Sequence, residues 1–164
     1  MRFSKALLKK IKNDGWHEQR SAAKEMQAYQ AALGTVLHPA AIPVLNEFAG
    51  LDLGRRIFFD SLYAKAGLRQ RQALPARFRK TLCPVALTTY WCDATVWMDV
   101  QGRVFLLEPD ELTYLAPSMD QALEILILNG ETDHIPDDLE PGCWKIRRGS
   151  EGMDGFSSLS VIDE

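Results

Sequence analysis

The spacing of apolar residues predicts three helices in the first fifty residues, at about 4–13, 21–33 and 39–48. Each pattern ends beside a glycine, the residue that most readily adopts the left-handed conformation that ends a helix. Ser21 is the predicted N-cap of the second helix, because a serine oxygen accepts hydrogen bonds from the free N–H groups of the first turn. Proline is tolerated only in that first turn, so Pro43 indicates that the third helix begins about two residues later or is bent.

The apolar period changes toward two after residue 81, which predicts strands. Residues 51–81 show no clean period. The strands are predicted at 82–88, 95–100, 103–108 and 112–116. Gln101 and Gly102 form a two-residue connection of the kind that closes a hairpin, with glycine supplying a positive φ. Pro84 has no N–H to donate, so it must lie near the start of its strand or at an edge of the sheet. We therefore expect a meander of three or four antiparallel strands.

The clearest pattern is a helix that follows Ser118. Ser118 and Gln121 form a capping box, and apolar residues recur at helical spacing until Asn129 and Gly130 end the pattern. Its one apolar face should pack on the sheet. The predicted fold class is therefore α+β, with N-terminal helices and a C-terminal amphipathic helix packed on an antiparallel-rich sheet. We expect this domain to span residues 1–130, followed by an acidic and partly irregular C-terminal extension at residues 131–164.

The composition agrees with one compact domain. The chain has 164 residues, of which 46% are hydrophobic and 25% are charged, and a domain of this size needs no disulfide or metal for stability. No stretch approaches the roughly 18 uninterrupted apolar residues of a membrane-spanning helix, so we expect no membrane partner. The formal net charge of −3 is unevenly distributed. Residues 129–164 hold nine acidic and three basic side chains, which gives −6 for that segment and +3 for residues 1–128.

Residues 65–80 carry six basic side chains and no acidic one. Arginine side chains can bind phosphate oxygens in a bidentate way. A nucleic-acid binder usually shows a basic domain overall, however, and this chain has a sequence pI near 5.6. We therefore interpret this stretch as a solvated face or as a docking surface for the acidic tail, and we expect no nucleic-acid partner.

Acidic residues near one strand end and in the extension are candidates for contact with a partner protein. An acidic surface attracts a basic partner and speeds association electrostatically. The candidate residues are Asp93, Glu108, Asp110, Glu111, Asp137 and Asp138.

The sequence contains no recognisable motif for catalysis, metal binding or nucleotide binding. Its three histidines are far apart in sequence, and its three cysteines include no C-x-x-C pair, which argues against a zinc site and a disulfide framework. Lysines interrupt the basic N-terminus before the apolar stretch of a secretory signal forms. We therefore predict a cytoplasmic protein with no metal, no cofactor and no enzymatic activity. The alternative from another class is a small hydrolase or nucleic-acid enzyme that uses Asp93, Asp99 or a histidine.

Trp16 follows a helix-ending glycine, and Arg20 comes four residues later. This pattern is consistent with a ring wedged between two helices and an arginine that either stacks on the ring or ties down the turn. A structural role is the favoured interpretation because tryptophan is commonly part of the core.

Several short motifs follow one another along the chain. They are Gly15-Trp16-x-x-x-Arg20, His38-Pro39-Ala40-Ala41, Phe48-Ala49-Gly50-Leu51, Pro84-Val85, Asp99-x-x-Gly102-Arg103-Val104-Phe105 and the helix from Ser118 to Leu128. In this order and spacing they resemble the SUKH superfamily, and most closely its third immunity-protein group. The resemblance runs from about residue 5 to residue 130. The family usually has a proline between the tryptophan and the arginine and favours a glycine where this chain has Ala49.

The resemblance implies an α+β fold in which helices pack against an antiparallel-rich sheet. It also implies that the chain is an immunity protein of a bacterial polymorphic toxin system. Such a protein binds and neutralises a cognate toxin domain, and the toxin we expect is a nuclease or a deaminase. The alternative is a SUKH-fold protein-binding module with a regulatory or scaffolding role. The resemblance carries over no catalytic residue. Its signature positions, which we interpret as scaffold, are Trp16, Arg20, Phe48, Gly50 and Gly102.

Overall fold

The computed structural model describes residues 2–90, 93–109 and 111–130, and beyond them residues 132, 136, 138 and 139 and two short strands. The helices of this part of the chain are α1 (Lys5–Asn13), α2 (Ala23–Leu33), α3 (Ala41–Phe48), α4 (Ser61–Arg69) and α5 (Met119–Leu128). The strands are β1 (Asp52–Leu53), β2 (Ile57–Phe58), β3 (Cys83–Thr88), β4 (Ala94–Met98), β5 (Val104–Glu108), β6 (Glu111–Ala116), β7 (Lys145–Arg147) and β8 (Phe156–Ser157).

The strands form one sheet in chain order from β1 to β8. All neighbours from β1 to β6 are antiparallel, and β3 to β6 form the predicted meander. β7 lies parallel to β6, and β8 is antiparallel to β7. α5 stands between β6 and β7 in sequence and provides the crossover that parallel neighbours require.

The two faces of the sheet bury different clusters, because successive side chains of a strand point to opposite faces. Val96 and Leu106 belong to a large cluster with residues of α1, α2, α3 and α5. Trp97 and Phe105 belong to a smaller cluster on the other face, which also contains Leu74 and Leu82. The predicted α+β class, with helices on an antiparallel-rich sheet, is confirmed.

Four of these helices lie where the sequence pattern predicted them. In α5, the Ser118 oxygen accepts a hydrogen bond from the Gln121 N–H, as the capping box predicted. α3 begins at Ala41, which places Pro43 in the first turn, where proline is tolerated. The prediction of Ser21 as the N-cap of α2 was wrong: the helix begins at Ala23, and its N-cap residue Ala22 makes no side-chain cap bond. Ala22 is buried and donates its N–H to the carbonyl of Asn46, so packing against α3 positions this end instead.

The connection between β4 and β5 spans residues 99–103 and is longer than the two residues that were predicted. The Asp99 N–H donates to the Arg103 carbonyl at 3.0 Å, so residues 100–102 form the loop. Gly102 has a φ of +86°, the left-handed conformation that ends a three-residue hairpin loop. The Asp99 carboxylate accepts hydrogen bonds from the N–H groups of Gln101 and Arg103, which fixes the turn.

Helix α4 was not predicted. The Asp60 side chain caps it by accepting from the Leu62 N–H at 2.8 Å. Gly67 lies where α4 meets the sheet, and a Cβ at this position would stand 2.5 Å from Thr95 Cγ2 and 3.0 Å from Pro84 Cβ. The same glycine that allows this close approach weakens the helical pattern in the sequence. Within the described ranges, no helix is long and apolar enough to cross a membrane.

Candidate functional site

Trp16 joins the start of the chain to helix α3. Its ring is 5% exposed and packs edge-to-face on Phe3, with 5.4 Å between the ring centroids. Its Nε1–H donates to Glu47 Oε1 at 2.8 Å. The tryptophan therefore provides apolar contact on one side and satisfies its polar N–H on the other, as buried indoles usually do.

Arg20 ties down the C-terminal end of α3. Its Nη1 donates to the Glu47 carbonyl at 2.7 Å, and its Nη2 donates to the Ala49 carbonyl at 2.6 Å. The last carbonyls of a helix have no partner within the helix, so an arginine can satisfy them. Two roles were considered for Arg20, stacking on the Trp16 ring and tying down the chain. These contacts favour the second role.

Phe48 and Gly50 hold the chain between α3 and β1 against the core. Phe48 is fully buried and stacks on Phe59, with ring centroids 5.4 Å apart. Gly50 has a φ of +82°, and its N–H donates to the Phe59 carbonyl. A Cβ at residue 50 would lie 2.8 Å from Glu25 Cγ, so both backbone conformation and space favour glycine.

A cleft of about 570 Å³ adjoins these signature residues. Arg2 lies at its edge and donates to both Glu47 carboxylate oxygens at 2.8 Å and to both Asp120 oxygens at 2.5 Å. The hydrogen bonds to Asp120 raise the pKa of Arg2 above its usual value, despite partial burial. The charged residues that line the cleft are two arginines and two glutamates, Arg2, Arg20, Glu18 and Glu47. None of the described residues that line it is a histidine or a cysteine.

The structure brings three of the acidic candidates to one end of the meander. Glu108 and Glu111 are paired where β5 turns into β6. Asp93 is exposed and directly precedes β4, whose residue Thr95 pairs with Leu107 of β5. These three residues, Asp93, Glu108 and Glu111, are called the acidic end below. Asp110 and Asp137 lie outside the described residues.

Asp138 lies at the opposite end of the meander. Its Oδ2 accepts from Arg103 Nη1 at 2.9 Å, while Arg103 Nε donates to Asp99 Oδ2 at 2.5 Å. The Asp138 side chain is 63% exposed, which weakens the pair through solvent screening. Two other described residues beyond residue 130 also contact the domain: Thr132 donates to the Leu115 carbonyl, and Leu139 is buried in the smaller cluster.

Asp93 and Asp99, two of the residues considered for an enzyme, are not brought together, and His134 lies outside the described residues. Asp93 and Asp99 flank β4 at its two ends. His38 Nε2 lies 3.0 Å from the Met98 carbonyl, whereas His17 is exposed in the turn after α1. Burial raises the pKa of the Cys83 thiol to about 12, which keeps it protonated and unreactive at neutral pH. No group of three potential ligands is arranged to hold a metal ion in the described ranges.

Sequence reasoning missed Arg2, which joins α3 and α5 through Glu47 and Asp120. These contacts connect residues that are 45 and 118 positions apart, and no local pattern signals them. The only sequence signal was the basic N-terminus itself.

Comparison with known proteins identifies a family. A family model described as SUKH-3 immunity protein matches residues 3–129. Neither the search of curated proteins nor the search of solved structures found a match to this chain. The matched span contains all five signature positions and ends one residue after α5. The chain therefore belongs to the SUKH-3 immunity protein family.

Proposed function

We propose that this chain is an immunity protein that binds a cognate toxin domain of a bacterial polymorphic toxin system and blocks its activity. The toxin we expect is a nuclease or a nucleic-acid deaminase, and the inhibition takes place in the cytoplasm of the producing cell. The observation that carries this proposal is the family match across residues 3–129. On this account the protein inhibits by binding alone and catalyses no reaction.

A preformed surface suits such a role. Trp16, Arg20 and Phe48 connect the N-terminal helices to one another and to the core. Binding by a surface that is already ordered loses little conformational entropy, and more of the contact energy therefore contributes to affinity.

We propose the acidic end as a part of the surface that meets the toxin. Enzymes that act on nucleic acids carry basic surfaces that contact phosphates. Asp93, Glu108 and Glu111 would attract such a surface and raise the rate of encounter. On the same proposal the immunity domain spans residues 1–130, and residues 131–164 form an extension to it.

Co-expression with the toxin domain encoded by the adjacent gene tests the function. We expect cells that produce the toxin to grow only when this chain is also produced, and we expect the two proteins to purify as a complex. If the folded chain neither binds that toxin nor restores growth, the immunity function is wrong. The alternative is a regulatory or scaffolding module of the same fold, and the lack of a toxin gene next door would favour it, since that gene is expected only beside an immunity protein.

Neutralising the acidic end should slow association with the toxin. We expect Asp93→Asn combined with Glu108→Gln to lower the association rate about three- to tenfold at low salt and much less at high salt. Stopped-flow binding at two salt concentrations measures this change. Asp52→Asn removes an exposed carboxylate on β1 and serves as the matched control. An unchanged low-salt rate in the double variant would remove the acidic end from the interface.

A further inference from the structure

Helix α4 presents two neighbouring large apolar side chains to solvent. Leu62 is 71% exposed and Tyr63 is 39% exposed. Tyr63 packs edge-to-face on the half-buried ring of Phe58, with 6.1 Å between the centroids, which holds the tyrosine in place. The other exposed large apolar residues of the described chain, Ile42 and Val100, stand singly on α3 and on the β4–β5 loop.

Basic side chains border this apolar pair. Lys65 and Arg69 are exposed on the same helix, three and seven residues after Leu62, so they lie on the same side of α4. Asp60, which caps α4, is the nearest acidic residue before them in the sequence, and no acidic residue follows until Asp93. The four residues Leu62, Tyr63, Lys65 and Arg69 are called the α4 face below.

Nucleic acid is a poor match for this surface. Arg71 and Arg79, which contribute to the basic stretch in the sequence, are committed to backbone carbonyls of their own segment. Arg71 Nε donates to the Arg79 carbonyl, and Arg79 donates to the carbonyls of Leu74 and Gln72. They serve to fold the segment between α4 and β3. Fewer cationic side chains are therefore available to contact a phosphate backbone than the sequence suggests, and the apolar side chain of Leu62 makes no favourable contact with phosphate.

The described part of the extension does not cover the α4 face either. Leu139 packs with Leu74 and Leu82 in the smaller cluster, and Leu62 stays 71% exposed. The C-terminal end of α4 nevertheless lies close in space to the strand that begins at the acidic end. Gln70, directly after α4, accepts a hydrogen bond from the hydroxyl of Thr95 at 2.7 Å, and Thr95 is two residues from Asp93.

We propose that the α4 face is a second contact with the cognate toxin, an inference that rests on the proposed function. The complementary toxin surface is an apolar depression edged by carboxylates, which receives Leu62 and Tyr63 and pairs with Lys65 and Arg69. Aromatic and arginine side chains are enriched in the centres of protein interfaces, and an anchor of this kind supplies most of the binding energy. Together with the acidic end, this contact makes the interface bipolar, so the toxin presents a basic region beside an acidic one.

The test measures the affinity of the purified toxin domain encoded by the adjacent gene for single variants of the full chain. We expect Leu62→Glu and Arg69→Glu each to weaken binding about tenfold or more. Val100→Glu is the matched control for Leu62→Glu, since Val100 is 58% exposed on the β4–β5 loop. Lys9→Glu, on the exposed side of α1, is the control for Arg69→Glu. Both controls should keep the affinity of the wild type, and all four variants should keep its thermal midpoint.

The outcomes separate this inference from the proposed function. If the wild-type chain does not bind the toxin, the proposed function and the α4 contact both fail. If the wild type binds and the two α4 variants bind equally well, only the α4 contact is overturned. It is also overturned if Leu62→Glu changes the sedimentation of the chain alone without changing toxin affinity, because the face then joins two copies of this chain. A further outcome concerns nucleic acid. If the wild type binds an oligonucleotide, and Arg69→Glu abolishes that binding without changing toxin affinity, the α4 contact with the toxin is overturned in favour of nucleic acid.

Discussion

Replacing Phe48 with alanine should lower the free energy of unfolding by about 3–5 kcal/mol. The ring is fully buried and stacks on Phe59, at the point where α3 meets the core. Truncation removes its contacts and leaves a cavity that the surrounding elements fill only in part. Domains of this size are stable by about 5–15 kcal/mol, so the variant should lose a large share of its stability. Urea denaturation followed by tryptophan fluorescence measures the change.

Ile42→Ala on the same helix is the matched control for this prediction. Ile42 is 37% exposed, and we expect its truncation to cost less than about 1 kcal/mol. A loss below about 1 kcal/mol for Phe48→Ala as well would contradict the central place of Phe48 in the core.

Replacing Arg20 with methionine should cost about 3 kcal/mol, because hydrogen bonds to charged groups contribute about 1.5–3 kcal/mol each. The methionine keeps much of the apolar stem but removes both donors, which leaves the carbonyls of Glu47 and Ala49 without their partner. Arg20→Lys keeps the charge and can reach one carbonyl at a time. We therefore expect its free energy of unfolding to lie between those of the wild type and Arg20→Met. Thermal and urea unfolding of the three proteins give this order.

The control for Arg20 is Lys24→Met, which removes an exposed cation from α2. We expect its stability to stay within about 0.5 kcal/mol of the wild type. Equal stability of Arg20→Met and the wild type would show that the two hydrogen bonds do not secure the end of α3.

The elements that the sequence predicted well are those specified by local signals. α5 has an apolar stripe, a capping serine and a terminal asparagine, and Asn129 indeed takes the left-handed conformation with a φ of +60°. The strands of the meander are short, mostly apolar runs that are buried on both faces and separated by short connections. Both kinds of signal act over a few residues and require no knowledge of the partner elements.

α4 was not predicted because its sequence follows from its packing against the sheet more than from a local helical pattern. Gly67 in its last turn lowers helix propensity, and Leu62 and Tyr63 face solvent instead of adding to an apolar stripe. The cap of α2 was mispredicted for a related reason. Ala22 is held by a hydrogen bond to the Asn46 carbonyl of another helix, which overrides the local preference for serine.

The candidate site depended on long-range geometry still more strongly. The sequence placed some of the acidic candidates near one strand end and others in the extension, whereas strand register brings Asp93 to the same end as Glu108 and Glu111. Asp138 instead contacts Arg103 at the other end. Side-chain position at a sheet end follows from which strands pair and in what register. Neither the strand pairing nor the register can be read from composition.

The most direct test of the account mixes the purified toxin domain encoded by the adjacent gene with increasing amounts of this chain and follows the toxin's own activity. The account predicts that the activity falls as the complex forms and that toxin and chain elute together in size-exclusion chromatography. Full toxin activity in the presence of an excess of folded chain, with the two proteins eluting apart, would contradict it.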